Sequence, residues 1–428
     1  MPDSCTVQSG DTLGQIALKK YGVSGRYTDI IAANPQLAGR KTASDGSPLI
    51  FPGDVLILPE QTDIPADIEN ETPVVLAPEE GREMSLYLDG KLFTGFIGYT
   101  LQLNIDTMDA FSFAAPWLED NEELKKAFEP FAYKKCAVYY RKQLMFTGTL
   151  LTPAPSVTPD NRTINPQGYP LCGVLSDCTI PDTKYPLCYR NLTLEQIAKD
   201  ILQPFGLQAV FDAPSGAPFE KAESEPGEKV LDFLKKLAGQ RGLLFTNTAE
   251  GMLRFWQKPG TGLNATFKQG EWPFIEAKCT PKPQDMYSHV TGFSKTDNES
   301  NAEKYTYVNT FLTKKGVFRP YSFVAEESDA KASDIEEATK AKAAAMFANA
   351  VSYELSVYGH TDKDGNIFNK DMTVSVYAPA AMIYRETKFL VDSIEFKKSD
   401  SQGEITTFKL TLPGSRDNSL PEVLPWEE

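Results

Sequence analysis

The chain has 428 residues, 41% hydrophobic and 11% aromatic, and its 43 basic and 58 acidic side chains leave a net charge of -15. That length exceeds what one hydrophobic core organises, so roughly three or four domains are expected. The acidic excess argues against a phosphate-gripping surface, which needs clustered Lys and Arg; solubility, or a conduit past which DNA slides without sticking, would account for it. No basic-then-apolar leader opens the chain, and no run approaches the apolar length of a membrane span. The six cysteines, Cys5, Cys136, Cys172, Cys178, Cys188 and Cys279, are scattered with no C-x-x-C pair, as expected of reduced thiols in a protein made in cytoplasm.

Residues 4–59 predict a βααβ unit. Cys5-Thr6-Val7 reads as a strand, Ser9-Gly10-Asp11 as a turn, and Thr12 to Gln15 as a capping box in which hydroxyl and amide each satisfy a free backbone N–H. Leu13, Ile16 and Ala17 face inward from the first helix, and Tyr27, Ile30 and Ile31 from the second, which Asn34-Pro35 stops. Pro52-Gly53-Asp54 turns into the strand Val55 to Leu58. VQSGDTLGQIALKKYG, YTDIIAANP and FPGDVLILP resemble a LysM domain over this whole unit, with a longer, more polar loop at 40–49 than that family usually carries. The resemblance implies a groove for the N-acetylglucosamine chains of peptidoglycan or chitin. Its positions here are Gly10, Asp11, Thr12 and Leu13, with Asn34 and Pro35 opposite. Gly10, Thr12 and Leu13 also turn, cap and pack, so they serve the scaffold as readily as a ligand.

From Gln61 to Glu80 proline and acidic residues predominate, predicting an extended, self-repelling linker, with Val74-Val75-Leu76 as a docking point for the tethered unit. Beyond it, Asp89-Gly90 joins Ser85–Leu88 to Leu92-Phe93 as a hairpin. Tyr99 to Ile105 and Phe111 to Phe113 alternate, Asn121 to Phe128 is a helical insert, and Ala137–Tyr140 and Leu144–Phe146 form a second hairpin. Such short strands suggest a small barrel or sandwich over about 82–153. After a proline-rich break, Asn191 to Leu202 predicts a helix opened by the capping box Thr193–Gln196, burying Leu194, Ile197, Ala198 and Ile201. A second helix follows Pro226-Gly227, its stripe being Val230, Leu234, Leu237 and Ala238; Gly239 and Gly242 stop it, and a hairpin through Leu243, Phe245, Leu253 and Phe255 comes next. The last third predicts strands at 305–312, 317–324, 353–358, 373–377, 388–396 and 405–412, with an Ala-rich helix at 333–350. Asp362 to Asn366 hints at a calcium loop but lacks the twelfth-position Glu, so it is read as a turn.

VLSDCTIPD, LTLEQIAKDILQPFGLQAVFD and EKVLDFLKKLAGQRGLLFTNTAEGMLRF together resemble the baseplate hub of contractile phage tails, the Mu-like and late-control-protein-D group related to the N-terminal part of VgrG. GHTDKDGNIFNKDMTVSVYAP, KFLVDSIEF and ITTFKLTLP resemble that family's closing barrel, so the likeness spans about 82–414. It implies a mainly β fold with α+β insertions: a βααβ LysM domain at 1–60, a linker at 61–81, a first tube-like barrel at 82–155, an α+β middle domain at 156–260, a second barrel with helical insert at 261–415, and a tail at 416–428. It further implies a homotrimer whose paired barrels adapt a six-fold tail tube to a three-fold central spike. The LysM domain would dock to tube, sheath-initiator or other baseplate proteins, DNA would pass through the lumen without specific binding, and the particle would be assembled in the bacterial cytoplasm. The competing reading is a LysM protein that targets cell-wall glycan and lyses or binds it.

No catalytic constellation is legible. His289 and His360, the only two histidines, lie far apart with no H-E-x-x-H, and no phosphate-cradling Gly loop occurs. A carboxylate pair of the glycosidase kind is a matter of tertiary geometry that spacing does not reveal. No catalytic residue, metal site or cofactor is therefore predicted, and a structural role is expected.

Overall fold

Period-two alternation of apolar and polar residues decides most of this chain, because each such run buries one face of a pleated strand. In the computed structural model, residues 3–7, 13, 16, 27–37, 40, 48–58, 84–93, 96–118, 120–152, 155–158, 162–185, 187–257, 262–294, 303–324, 332–399, 403–414 and 424–427 are described. They fall into two units, Met1–Val74 and Val75–Glu428.

In the first unit β1 (Asp3–Thr6) pairs antiparallel with β2 (Val55–Leu58), Cys5 opposite Leu56. Leu56 and Leu58 turn into a core with Val7, Leu13, Ile16, Ile30 and Leu37, while Val55 and Ile57 face out. α1 (Tyr27–Ala33) ends where Pro35 starts a 3-10 turn, Pro35–Leu37. The capping box expected at Thr12–Gln15 and the linker expected at 61–81 lie outside the described residues.

The second unit begins with β3 (Met84–Leu88), β4 (Lys91–Phe93), β5 (Gly98–Asn104) and β6 (Ala110–Pro116). α2 (Glu122–Ala127) follows, then β7 (Lys135–Tyr140), β8 (Gln143–Thr152), β9 (Pro155–Val157), β10 (Arg162–Ile164) and β11 (Gln167–Pro170). Asp89 and Gly90 both take positive φ, 45° and 75°, the geometry that lets a two-residue turn follow the strand twist. The order is β4-β3-β7-β8-β11-β6-β5, with β9-β10 extending from β6. Strands beyond residue 155 thus complete the first β module, which reaches Pro170.

The middle region comprises β12 (Cys188–Tyr189), α3 (Leu194–Leu202), β13 (Ala209–Phe211), β14 (Ala222–Glu223), α4 (Val230–Gln240), β15 (Leu244–Asn247) and β16 (Leu253–Trp256). Thr193 and Gln196 make the capping box reciprocally. β15 and β16 form the expected hairpin, and β13 adds parallel to β16. The apolar stripes of both helices close a separate core over this sheet, with Ile197, Ile201, Val230, Phe233, Leu234 and Phe255 almost wholly buried.

The remainder runs β17 (Asn264–Lys268), β18 (Phe274–Pro281), β19 (His289–Phe293), β20 (Lys304–Val308), α5 (Thr310–Thr313), β21 (Pro320–Val324), α6 (Ala332–Ala350), β22 (Val351–Tyr358), β23 (Thr373–Ala378), β24 (Ile383–Ser399) and β25 (Gly403–Thr411). The second β module is ordered β18-β22-β25-β24-β23-β17, while β20-β19-β21 is a separate three-stranded sheet under α6. The strand expected at 305–312 stops at Val308, because the Asn309 side chain accepts the N–H of Phe311 and starts a short helix instead. The 362–366 segment is a turn: Asp362 accepts the backbone N–H groups of Asp364 and Asn366. Core residues of the two β modules belong to one continuous cluster, with Leu101, Val138 and Phe146 in the same apolar body as Val374, Phe389 and Phe408.

Candidate functional site

The two β modules meet as one sheet. β24 is 17 residues long; its first part pairs with β23 and its last part with β5, placing Ser393 opposite Asn104 and Lys398 opposite Tyr99. Alternation gives this sheet two unlike faces. Leu101, Leu103, Ile394, Phe396, Phe408 and Leu355 point into the shared core. Opposed residues share a face, so the other side carries Glu276, Ser356, Thr407, Glu395 and Gln102 in one row, with Lys278, Glu354, Lys409 and Ser393 beside it. Ser356 and Thr407 are hydrogen-bonded at 3.0 Å, and Lys278 lies 4.0 Å from Glu354. This wall is hydrophilic and balances cation against anion along its strands.

Behind the seam a buried charge pair ties three regions together. Asp109, on the β5–β6 connection, accepts the N–H of Asn104 at 2.7 Å and the Asn247 amide at 2.9 Å. Lys370, in the turn before β23, donates to both Asp109 oxygens at 2.9 and 2.8 Å, to Thr246 Oγ1 at 2.7 Å and to the Asn247 carbonyl at 2.9 Å. The Thr246 hydroxyl donates to the Asn104 carbonyl, and Trp256 Nε1 donates to Ile105 O. The side chains of Lys370 and Asp109 are 12% and 1% exposed, so the pair is cut off from water. Burial pushes the Asp109 carboxyl up, against the pull of Lys370 and its hydrogen bonds; burial pushes Lys370 down, against the pull of Asp109. The matched geometry supplies acceptors for every ammonium proton. Its work is to hold both modules and the middle region in one register.

A second cluster closes the far end of the seam. His360, 1% exposed, lies between Tyr99 OH, 3.0 Å from Nε2, and Thr406 Oγ1, 2.8 Å from Nδ1. Thr406 donates to Gly359 O, so it accepts from Nδ1–H. Tyr99 and Tyr140 both donate to Glu404, at 3.2 and 3.0 Å. His289 sits elsewhere, on β19, bonded to Ser288 Oγ. The described residues contain no group of three or more His, Cys, Asp and Glu able to hold a metal, and no helix among them is long and apolar enough to cross a membrane.

Of the LysM groove positions, Gly10, Asp11 and Thr12 lie outside the described residues. Leu13 is a core residue, 1% exposed. Asn34 is wholly buried: its amide donates to Ile30 O and Ile57 O, both at 2.7 Å, and its carbonyl accepts from Ile57 N at 2.8 Å and Gln36 Nε2 at 2.8 Å. That side chain clamps α1 to β2 and has no donor left over. Pro35 is exposed. Asp109, Thr246, Asn247 and Lys370 were not singled out by the sequence reading, since nothing local marks polar residues that meet only after folding.

Comparison with known proteins follows these divisions. Residues 172–257 match the family model for the second domain of gp44-like baseplate hub proteins, and residues 5–59 match the LysM domain. The chain is 24% identical over 340 residues, 76% of its length, to the baseplate hub protein gp44 of Escherichia phage Mu, of which 87% is covered. Among solved structures it is similar to the 43 kDa tail protein of prophage MuSo2 from Shewanella oneidensis, with a TM-score of 0.68, 22% identity, and 78% of this chain and 100% of that one covered. It also shares the fold of a chain of the Francisella PdpA-VgrG complex, with a TM-score of 0.50, 11% identity, and 81% and 60% covered. Residues 172–257 thus carry a gp44-like second domain set between two joined β modules, with a LysM domain earlier in the chain, and the chain as a whole is similar to a phage baseplate hub protein and shares the fold of a phage tail protein.

Proposed function

We propose that this protein is a trimeric hub whose six β modules form a ring, seating a six-fold tail tube on one side and gripping a three-fold spike on the other. The observation that carries the reading is the seam: two β modules, hydrogen-bonded through β5 and β24, present one hydrophilic wall per chain. Such a wall suits a lumen through which DNA passes, since its lysines stand beside glutamates and offer no cationic stripe for phosphate to release counterions from. The LysM domain acts as a docking module toward tube, sheath-initiator or other baseplate proteins, through the surface around Gly10, Asp11, Thr12 and Pro35. The role is structural, without a catalytic step, and the finished protein resides in the virion tail after assembly in the bacterial cytoplasm.

Light scattering of the full-length chain, alone and with its spike protein, tests this. A trimer is expected, and a chain that stays monomeric with the spike present sinks the reading. The LysM match keeps glycan binding as the second reading. Sedimentation of the full chain with insoluble peptidoglycan, lost in Asp11→Ala, would favour it over docking.

A further inference from the structure

We propose that His360 is a buried imidazolium, doubly protonated at neutral pH, and that its second proton clasps the two β modules together, so that the seam slackens as pH rises. The inference concerns contacts inside one polypeptide and stands apart from the ring reading. It follows from counting hydrogens. Thr406 has a single hydroxyl proton and gives it to Gly359 O at 2.6 Å, so Nδ1 of His360, 2.8 Å from Thr406 Oγ1, carries a proton of its own. Tyr99 also has one hydroxyl proton, with two groups in reach, Glu404 Oε1 at 3.2 Å and His360 Nε2 at 3.0 Å. Both contacts are hydrogen bonds at once only if Nε2 is protonated too and donates to the Tyr99 oxygen. Cation and anion are then joined through a phenol, from His360 to Tyr99 to Glu404.

Burial by itself favours the neutral ring, since His360 is 1% exposed. Glu404 opposes it with a carboxylate whose side chain is 13% exposed and therefore weakly screened. Three aromatic rings also surround the imidazole, Phe396, Tyr140 and Tyr99, with centroids 4.9, 5.3 and 6.0 Å from its own and planes inclined by 60–67°. Their electron-rich faces favour a cation. The titratable and charged groups on the packed elements are Tyr99 of β5, Tyr140 of β7, Glu404 of β25, Lys398 of β24, 3.7 Å from Glu404, and Arg141, 5.5 Å from the Tyr140 ring centre. Tyr99 and Tyr140 belong to the first module, His360, Thr406 and Glu404 to the second, so Glu404 is pinned across the seam by a donor on each oxygen. Once Nε2 loses its proton, Tyr99 turns its hydroxyl to the ring and Glu404 Oε1 gives up that donor. A ring charged in the fold and neutral in the unfolded chain stabilises fully below about pH 6.5, and the contribution is lost as pH rises through the higher folded value.

The test reads the ring directly, by nitrogen NMR of the full-length chain with labelled histidine. In His289→Gln, His360 is the only histidine left. Two protonated ring nitrogens are expected at pH 7.5, with a titration midpoint at least about one unit above 6.5. Glu404→Gln should move that midpoint down by about a unit or more, a tenfold loss of proton affinity. The stability gap between the parent and His360→Gln, read as denaturant midpoints, should narrow as pH rises. One unprotonated nitrogen at pH 7.5 overturns the proposal whatever the variants do. A midpoint indifferent to Glu404→Gln, or a gap that does not change with pH, overturns it as well.

Discussion

Replacing Lys370 by methionine removes the cation but leaves the Asp109 carboxylate 1% exposed, with no counter-charge. Breaking a buried pair from one side costs roughly 3–5 kcal/mol, because the remaining charge is stranded in a low-dielectric site. The unit concerned, Val75–Glu428, has about 350 residues, so its unfolding entropy near the midpoint is roughly 0.7 kcal/mol/K, and the loss lowers Tm by roughly 4–7 °C. Calorimetry of the full-length chain reads this shift. The sign of its pH dependence follows from Asp109. Burial already raises that carboxyl, and without Lys370 it rises further, so the native state of the variant holds a proton that the unfolded chain has released. Stability of Lys370→Met should therefore fall as pH rises, and its deficit should be smaller at about pH 5 than at about pH 8. Adding Asp109→Asn removes the stranded charge yet keeps an acceptor for the Asn104 N–H, and the double variant should recover most of the loss. A deficit below about 1 kcal/mol for Lys370→Met, or a double variant no better than the single one, would refute the claim that this pair holds the three regions together.

Other substitutions follow from single contacts. Gly292→Ala should destabilise the β19–β21 insert by about 1–3 kcal/mol, because a Cβ there collides with Thr339 Oγ1 on α6; increased proteolysis within residues 289–324 would report it. Asn34→Ala leaves the Ile57 N–H and carbonyl without their partners and should speed amide exchange along β2 markedly, with protection in the second unit unchanged. Thr193→Ala removes the capping box of α3 and should cost about 1 kcal/mol, seen as a lower denaturant midpoint at constant slope. Burial pushes the Asp362 carboxyl up, but hydrogen bonds from Asn366, Asp364 and Gly365 outweigh it and hold it below 3.8. Its contribution is full above that pH and disappears as pH falls through the lower folded value; loss of turn protection at neutral pH in Asp362→Ala, and equal protection in both proteins in strong acid, is the expected pattern.

The elements legible in the sequence were those whose signal is local. The stripe of α4, the Thr193–Gln196 box and the Asp89-Gly90 hairpin all stand within a few residues of where the pattern put them. β9 to β11 and β17 were missed because they are only three to five residues long, and β18 because the run Phe274–Pro281 is exposed on both faces and carries no clean alternation. The joining of the modules was equally invisible. Tyr99 to Asn104 and Ser393 to Lys398 each alternate like any half-buried strand, and nothing in either run says which partner it will take. Asn34 shows the opposite difficulty: a family motif marks its position, while its geometry gives all four of its hydrogen-bonding capacities to α1, β2 and Gln36.

The length of β24 constrains how this molecule can move. A single rod of backbone, Ile383–Ser399, is stitched to β23 at one end and β5 at the other, with β25 running along its far part. Bending the two halves of the chain apart would have to shear consecutive inter-strand bonds at once, with the Lys370–Asp109 contact torn alongside them. A hinge between the two β modules is thus the costliest place to yield. In the proposed ring, the easy cleavage planes are the boundaries from one polypeptide to the next, and Val75–Glu428 of each subunit should travel as a stiff block.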